Sequence, residues 1–307
     1  MHILITGGAG FIGSHLVEHF HEDHEVRVLD NFRSGYRHNL EPFRHNLIEG
    51  SITDRAAVRE AMYGVDYVFH LAAMISVPES MEQPVECVRI NTEGTLIVLE
   101  EAAAAGAKKL CFSTSAAIYG DNPTVPKVES MLPEPKSPYA VTKLDGEYYC
   151  GMFQREGRLN TAALRYFNVF GPRQDPGSQY AAAVPIFAAR AVRNDTITIY
   201  GDGEQTRDFI YVKDIVAANA HLAMNPDLHG VYNVAYGKRI TINDLARTIV
   251  RLTGSTSVIE HAPERAGDVK HSLASVDRLT ASGFKPGADF EEGLAATLDF
   301  FSAQSPA

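Results

Sequence analysis

Residues 2–13 read HILITGGAGFIG, in which an apolar run passes into a turn with glycines at positions 7, 10 and 13 and then into a helical pattern. Glycines at this spacing permit a tight turn and let a pyrophosphate approach the N–H groups at a helix N-terminus. Asp30 ends the next apolar run, 20 residues after Gly10. A carboxylate there binds the adenosine ribose hydroxyls and repels a 2′-phosphate, so we expect NAD rather than NADP, although Arg33 and Arg37 nearby would suit NADP.

Short apolar strands alternate with helical patterns through the first half of the chain. Strands are expected at residues 2–6, 25–29, 67–71, 109–113 and 160–166, and helices at 11–20, 56–63, 92–105 and 139–155. Apolar strands separated by helices predict an α/β fold with a doubly wound parallel (Rossmann) sheet. Such a sheet binds its ligands outside the carboxyl ends of the strands.

The sequence changes character after Gly171, where a loop rich in Pro, Gly and Asp begins. We therefore place a boundary there, between an NAD-binding Rossmann domain at 1–171 and a smaller, mixed α/β substrate domain at 172–307. In the second part, helices are expected at 184–193, 213–223, 242–253 and 292–301, and strands at 196–200 and 231–235. The strand at 231–235 could instead return to the first sheet.

The composition excludes several classes of function. Lys and Arg number 28 and Asp and Glu 38, a net charge of −10, so we expect binding neither to nucleic acid nor to an anionic membrane. The longest mostly apolar run, 67–78, is shorter than the roughly 20 residues that span a bilayer, and no signal peptide is expected. Three scattered cysteines indicate a reducing, cytoplasmic location.

His15 and His19 share a helical face without a carboxylate–histidine signature, so we expect solvated side chains and no metal.

A tyrosine and a lysine in the middle of the chain have the spacing of a catalytic pair. Tyr139 and Lys143 lie four residues apart on one helical face, as the only Tyr-x-x-x-Lys in the sequence. The segment 113–120 places hydroxyl groups at the carboxyl end of a predicted strand. A nearby ammonium and a cationic nicotinamide favour the phenolate, and a pKa shift of roughly 3 units requires about 4 kcal/mol. The alternative is an exposed i, i+4 pair with no catalytic role.

Together these motifs resemble those of the extended short-chain dehydrogenase/reductase superfamily. The segments that carry the resemblance are Gly7–Gly13, Asp30, His70–Ala73, Asn91, Ser113–Gly120, Tyr139 with Lys143, Leu164–Gly171, Gly201–Gly203, Thr206–Phe209 and Arg265–Asp268. Within the superfamily, the chain most resembles the NAD-dependent UDP-hexose 4-epimerases, and among them the UDP-N-acetylglucosamine 4-epimerase branch.

The resemblance implies a role for each catalytic residue. Tyr139 would take the proton of the sugar 4-hydroxyl, Lys143 would lower the pKa of that phenol and hold the nicotinamide ribose, and Ser115 would hydrogen-bond the same hydroxyl. Hydride would pass from C4 to NAD and return to the opposite face of the 4-keto sugar. NAD would then stay bound and act as a catalyst, because no net redox change occurs.

The resemblance also implies which residues bind the ligands. The cofactor-binding positions are Gly7, Gly10, Phe11, Ile12, Gly13, Asp30, Asn31, Ser34, Gly35, Ser51, Ile52, Leu71, Ala72, Ala73, Asn91, Ser113, Tyr139, Lys143 and Tyr166. The positions expected to bind a UDP-sugar are Ser115, Asn168, Ala183, Val184, Thr198, Tyr200, Arg207, Arg265, Asp268 and Ser272. Arg207 and Arg265 match phosphate-binding arginines of the family, and Asp268 matches the residue that binds the uridine ribose.

Two places in the sequence bear on the reaction and the sugar. Dehydratases and decarboxylases of this superfamily carry an acidic residue just after the catalytic hydroxyl residue, whereas Ser115 is followed by Ala116 and Ala117, which favours epimerisation. Ser272 matches the family position beside the sugar's C2 substituent, where a tyrosine excludes an N-acetyl group and a small residue admits it. We therefore expect turnover of UDP-GlcNAc and UDP-GalNAc, alongside UDP-glucose and UDP-galactose.

Two alternatives stay open, and the resemblance adds an expectation about assembly. One alternative is a related NAD-dependent sugar-nucleotide converter, such as a UDP-uronic acid 4-epimerase or another C4 oxidoreductase. The other is a non-catalytic NAD- or nucleotide-sugar-binding protein, which the intact set of Ser115, Tyr139 and Lys143 disfavours. Relatives pair two subunits through a four-helix bundle, to which residues 92–105 and 137–155 would contribute here, so we expect a homodimer.

Overall fold

The computed structural model describes residues 1–177, 182–264 and 270–304. The strands found there are β1 (His2–Thr6), β2 (Glu25–Asp30), β3 (Asn46–Glu49), β4 (Tyr67–His70), β5 (Lys109–Ser115), β6 (Thr161–Tyr166), β7 (Val169–Phe170), β8 (Ile197–Tyr200), β9 (Thr206–Arg207), β10 (Ile210–Tyr211), β11 (Gly230–Val234), β12 (Ile240–Thr241) and β13 (Ile259–Ala262). The helices are α1 (Phe11–Phe20), α2 (Arg55–Met62), α3 (Val77–Glu82), α4 (Pro84–Val88), α5 (Gly94–Ala104), α6 (Pro138–Arg155), α7 (Ala183–Val192), α8 (Val212–Met224), α9 (Ile242–Thr253), α10 (Asp277–Ala281) and α11 (Phe290–Gln304).

Seven strands form one parallel sheet in the order β3-β2-β1-β4-β5-β6-β11. In this register Ile5 of β1 lies opposite Val28 on one side and Phe69 on the other. The chain order reverses between β1 and β4, and the crevice outside their carboxyl ends is where such sheets bind ligands. The predicted doubly wound α/β fold is confirmed.

The sheet is buried on both faces because alternate side chains of each strand enter different apolar clusters. Ile3 and Ile5 of β1 pack in a cluster with residues of α1 and α8, whereas Leu4 packs on the opposite face with residues of α2, α5 and α6. β11 belongs to this sheet, beside β6, although it lies late in the chain. The sequence did not predict β3. This strand lies at the edge of the sheet, where its residues NLIE are half-buried or exposed, so it lacks the apolar run that marks the other strands.

A smaller region follows β7 and carries the remaining strands in two-stranded pairs. β8 pairs with β13 in parallel, β9 with β12 antiparallel, and β7 with β10 in parallel. Helices α7, α9 and α11 enclose a separate apolar cluster that includes Phe187, Ile199, Leu245 and Leu298. No helix in the described ranges is both long enough and apolar enough to cross a membrane.

The expectation that His15 is solvated is wrong. His15 is only 3% exposed, and its Nε2 lies 2.9 Å from the carbonyl oxygen of Pro172. Burial lowers the pKa of its imidazole. The helical pattern around residue 15 did not reveal this, because the segment that covers α1 lies 157 positions further along the chain.

Candidate active site

A cavity of about 930 Å³ opens at the carboxyl ends of β1, β4, β5 and β6, near the upper end of the ~300–1,000 Å³ range of ligand pockets. Gly7, Leu71, Ser115 and Tyr166, which end or follow these four strands, all line it. The cavity therefore lies at the place where the strand order reverses.

The glycine turn between β1 and α1 is packed so tightly that side chains are excluded. Gly7 has a φ of +73°, and a Cβ there would lie 2.7 Å from the backbone nitrogen of Ala72. A Cβ on Gly13 would collide with the carbonyl oxygen of Gly7. Glycine at both positions lets the turn pass close to the β4 strand end and lets α1 begin directly beside the cavity. This is the geometry that an approaching pyrophosphate requires.

Asp30 lies at the end of β2, where its carboxylate is held in one orientation. Oδ2 accepts a hydrogen bond from the backbone N–H of Ala9 at 2.9 Å, and Oδ1 accepts one from Phe32 at 2.8 Å. Burial raises the pKa of this carboxyl group, whereas the backbone donors lower it. The guanidinium groups nearby are already paired with carboxylates: Arg33 with Glu79 at 2.7 Å, and Arg37 with Glu49. Their attraction for a 2′-phosphate is correspondingly weakened.

The pair on α6 is positioned by the start of that helix. Ser137 caps it by accepting a hydrogen bond from the N–H of Ala140 at 3.2 Å. Tyr139 therefore lies in the first turn, and Lys143 lies one turn later on the same face. The ammonium of Lys143, which is 3% exposed, donates to the carbonyl oxygen of Ser113 at 2.8 Å. This bond joins α6 to the end of β5 and brings Tyr139, Lys143 and Ser115 to the same cavity.

Burial of Tyr139 opposes the formation of a phenolate. Burial raises the pKa of the phenol, and the hydrogen bond with Ser115 lowers it only in part. Burial also lowers the pKa of Lys143 to about 8, because a charged ammonium is poorly solvated there. The lowered phenol pKa expected from the lysine together with a cationic nicotinamide stays a prediction.

His70 links the two central strands beneath the cavity. Its Nδ1 lies 2.7 Å from the hydroxyl of Thr6, and its Nε2 lies 2.9 Å from the hydroxyl of Thr95. Burial lowers the pKa of the imidazole to about 3, so the ring is neutral at physiological pH. This neutral ring ties the last residue of β1 to the last residue of β4, and thereby fixes the base of the glycine turn.

A buried ion pair lies behind the catalytic helix. The Glu147 carboxylate accepts from the Arg165 guanidinium at 2.6 Å and 2.9 Å, and from the Thr114 hydroxyl at 2.8 Å. Arg165 also donates to the phenolic oxygen of Tyr119 at 2.8 Å. The two charged side chains are 4% and 3% exposed. Since Glu147 lies one turn beyond Lys143 on α6, the pair fixes this helix against β5 and β6.

The substrate end of the cavity is built from segments far apart in sequence. Ser272 is held beside β9 by a hydrogen bond from its N–H to the carbonyl oxygen of Thr206 at 3.0 Å. The Asn168 side-chain amide donates to the carbonyl oxygen of Asp208 at 3.1 Å. The buried Asp208 carboxylate in turn accepts from the N–H groups of Tyr236 and Ala274 at 3.0 Å and 3.1 Å, which ties the segments together.

Most residues expected to bind ligands line this one cavity. Among the expected cofactor positions only Asn91 does not, because its amide is used by the backbone of Met74 and the hydroxyl of Thr142. Among the expected substrate positions, Ser115, Asn168, Arg207 and Ser272 line it. Arg265 and Asp268 lie outside the described residues.

Four further substrate positions do not line the cavity, namely Ala183, Val184, Thr198 and Tyr200. Val184 is fully buried in the apolar cluster around α7, and the Thr198 hydroxyl accepts from Arg190 at 2.8 Å. Their roles toward a ligand stay predictions.

Sequence reasoning missed several polar residues of the cavity. The most prominent are Tyr36, Lys127, Arg173, Gln174, Asp175 and His271. His271 adjoins the expected Ser272, and this adjacency was an available signal. The others belong to loops without a recognisable motif, and the loop rich in Pro, Gly and Asp after residue 171 indicated only a domain boundary.

Comparison with known proteins gives a consistent family. The model of the "NAD dependent epimerase/dehydratase family" matches residues 3–235. The structure of a UDP-N-acetylglucosamine 4-epimerase from Methanobrevibacter ruminantium, in complex with UDP-N-acetylmuramic acid, is 42% identical, with a TM-score of 0.95 over 99% of both chains. A UDP-glucose 4-epimerase structure from Thermotoga maritima, with UDP-glucose, is 40% identical, with a TM-score of 0.93 over 99% of both chains. A UDP-N-acetyl-alpha-D-glucosaminuronate decarboxylase from Bacillus cytotoxicus is 35% identical over 97% of both proteins.

Proposed function

We propose that this chain, which belongs to the NAD dependent epimerase/dehydratase family, is a UDP-hexose 4-epimerase. Membership of the family confirms the resemblance of its motifs, and the cofactor of the chain is NAD. The proposed reaction interconverts UDP-GlcNAc with UDP-GalNAc, and UDP-glucose with UDP-galactose. The observation that carries the proposal is the meeting of Ser115, Tyr139 and Lys143 in one cavity with the glycine turn and Asp30. The turn, which is open to a pyrophosphate, and the carboxylate, which suits ribose hydroxyls, fit NAD.

Each catalytic side chain has a separate task in the proposed reaction. The phenolic oxygen of Tyr139 takes the proton of the sugar 4-hydroxyl and returns a proton after inversion. Ser115 holds the same hydroxyl by a hydrogen bond. Lys143, fixed by the carbonyl oxygen of Ser113, places positive charge beside the phenolate. When bound, NAD supplies the hydride acceptor and donor for C4.

The acid–base groups of the cavity favour epimerisation over dehydration or decarboxylation. Ser115 is followed by Ala116 and Ala117, which line the cavity and can neither donate nor accept a proton. Asp30 and Asp175 are the only carboxylates among the described lining residues, and Asp30 lies at the opposite, cofactor end. This matters because a decarboxylase is nearly as similar in sequence as the epimerases.

The proposal is tested by product analysis without added cofactor. We expect the protein to retain NAD through purification and to convert UDP-GlcNAc to UDP-GalNAc and UDP-glucose to UDP-galactose, as resolved by chromatography. UDP-glucuronic acid in the same panel tests the alternative of a uronic acid epimerase. Release of CO₂ or of an unsaturated sugar product would identify a decarboxylase or dehydratase instead.

Replacement of Ser272 by tyrosine tests the sugar preference. The phenol ring would fill the space beside the sugar's C2 substituent, and overpacking of this kind costs about 1–3 kcal/mol. We therefore expect Ser272→Tyr to lower kcat/KM for UDP-GlcNAc by about a hundredfold and to leave that for UDP-glucose within about threefold. Ser272→Ala is the matched control and should keep both activities. Equal turnover of UDP-GlcNAc by the wild type and Ser272→Tyr would contradict the assignment.

We also propose that two subunits associate through the face that includes α6. Val141, Tyr148 and Met152 of this helix are exposed, as are Val85 and Val88 on the adjoining α4. Exposed apolar side chains on two adjoining helices are typical of a protein interface. We expect light scattering to give the mass of a dimer at micromolar concentration, and Tyr148→Asp to shift it toward that of a monomer. A monomeric wild type would contradict the proposal.

A further inference from the structure

A short loop of the second half of the chain is fastened to the elements that hold the cofactor. We call Pro172–Asp175 the strap. The Nε2 of His15 donates to the carbonyl oxygen of Pro172 at 2.9 Å, and Arg173 forms an ion pair with Glu18. Both partners lie on α1, the helix that begins at the glycine turn. The strap is therefore anchored along one side of the cofactor-binding helix.

The far end of the strap has a third anchor. The Tyr36 hydroxyl donates to Oδ2 of Asp175 at 2.8 Å, across 139 positions of sequence. Tyr36 belongs to the loop after β2, which also carries Ser34 and Gly35 of the expected cofactor site. Tyr36, Arg173, Gln174 and Asp175 all line the cavity. The strap thus joins α1 to the loop after Asp30 along the wall of the cofactor end.

The backbone of the strap depends on these contacts for its shape. Arg173 has a φ of +65°, in the left-handed region that residues other than glycine rarely adopt. Its guanidinium group lies 5.2 Å from the centre of the Phe43 ring, in addition to the ion pair with Glu18. An unfavourable conformation persists only where surrounding contacts determine it, so the anchors hold the strap in place.

The strap also carries polar atoms that the protein leaves unpaired. Nε of Arg173 and Oε1 of Gln174 are buried and have no hydrogen-bond partner among the described residues. The other end of the Gln174 amide is fixed, because its Nε2 donates to the carbonyl oxygen of Val169 at 3.1 Å. A buried donor and a buried acceptor without partners are unfavourable, and both suit a ligand with phosphate and hydroxyl groups.

We propose that the strap retains NAD, with the Tyr36–Asp175 hydrogen bond as its latch. The inference rests on the proposed function, since an epimerase must keep the same cofactor molecule from the first hydride transfer to the second. The three anchors hold the strap along the cavity wall between α1 and the loop after β2, beside the glycine turn on which a dinucleotide would lie. The latch residues thus position the strap and take no part in the chemistry.

Release of NAD measures the latch directly. Wild type, Tyr36→Phe, Asp175→Ala and the double variant are loaded with radiolabelled NAD and chased with unlabelled NAD, without any sugar. We expect each single variant to release NAD about tenfold faster, as loss of a hydrogen bond to a charged group predicts, and the double variant to be no faster than the faster single one. Tyr63→Phe is the matched control, because Tyr63 is exposed and lies outside the cavity lining. It should release NAD at the wild-type rate.

Two results would overturn the proposal. One is release from both single variants within twofold of the wild type, and the other is a double variant whose effect is the product of the two single effects. Thermal unfolding at saturating NAD separates loss of the latch from loss of the fold. We expect the melting temperatures of the variants to be close to that of the wild type, because the side chains of Tyr36 and Asp175 lie at the surface. Because the assay contains no sugar, it reports NAD release even if the protein is not an epimerase. If the protein is an active epimerase and the variants release NAD no faster than the wild type, the role of the strap is refuted and the epimerase assignment stands.

Discussion

Replacement of Tyr139 by phenylalanine is expected to lower kcat about a thousandfold for every sugar that the wild type converts. The phenolic oxygen is the group that accepts the 4-hydroxyl proton, and a positioned general base contributes about 10²–10⁴ in rate. The ring itself packs against the apolar cluster under α6, and phenylalanine preserves that packing. NAD content and sugar binding should therefore stay near the wild-type values. The measurement is initial-rate kinetics by chromatography, with bound NAD quantified after denaturation.

Two further variants show whether the loss belongs to the base. Ser115→Ala should reduce kcat by about tenfold, since it removes one hydrogen bond to the reacting hydroxyl and leaves the base in place. Tyr149→Phe removes a hydroxyl from the same helix at a position that does not line the cavity, and it should keep the wild-type rate. If Tyr139→Phe turned over at the wild-type rate, or if Tyr149→Phe lost as much, the assignment of the base would be wrong.

The parts of the site that follow from the sequence are those built within one element or one strand–helix unit. The glycine turn and the Tyr139–Lys143 pair each occupy a few consecutive residues, so their spacing determines their geometry. The place of Asp30 at the cofactor site followed from the length of one strand–helix–strand unit. The parallel sheet followed from apolar strands separated by helices. Local spacing was enough wherever the partners are neighbours in the chain.

The parts that did not follow depend on contacts between distant segments. The amide of Asn91 bonds to Met74 and Thr142, contacts that its position in the sequence does not indicate, and its role toward the cofactor stays a prediction. His15 was expected in solvent, because nothing near it in sequence indicates that Pro172 covers it. The Tyr36–Asp175 latch joins two loops that no spacing rule connects. Tertiary hydrogen bonds of this kind are set by the packed structure, and a pattern of residue types does not encode them.

Replacement of Arg165 by methionine is expected to lower the free energy of unfolding by about 3–5 kcal/mol. Methionine has a similar size, but it leaves the Glu147 carboxylate buried with the Thr114 hydroxyl as its remaining side-chain donor. An uncompensated buried charge is more costly than the loss of the pair itself. The measurement is urea denaturation at pH 7, followed by circular dichroism in the presence of saturating NAD.

The double variant Arg165→Met with Glu147→Leu separates the lost charge balance from lost packing. Removal of both charges should restore most of the stability, because buried ion pairs replaced by apolar residues of similar volume are often neutral in stability. Arg251→Met is the matched control, since Arg251 pairs with Glu291 at 2.7 Å with both side chains more than half exposed, and it should cost less than about 1 kcal/mol. A double variant as unstable as Arg165→Met would mean that the loss comes from packing.

Glu147 lies on α6, the helix that carries Tyr139 and Lys143. If Arg165→Met shifts α6 away from the end of β5, the two catalytic side chains move with it. We therefore expect Arg165→Met to lower kcat by a larger factor than it raises KM.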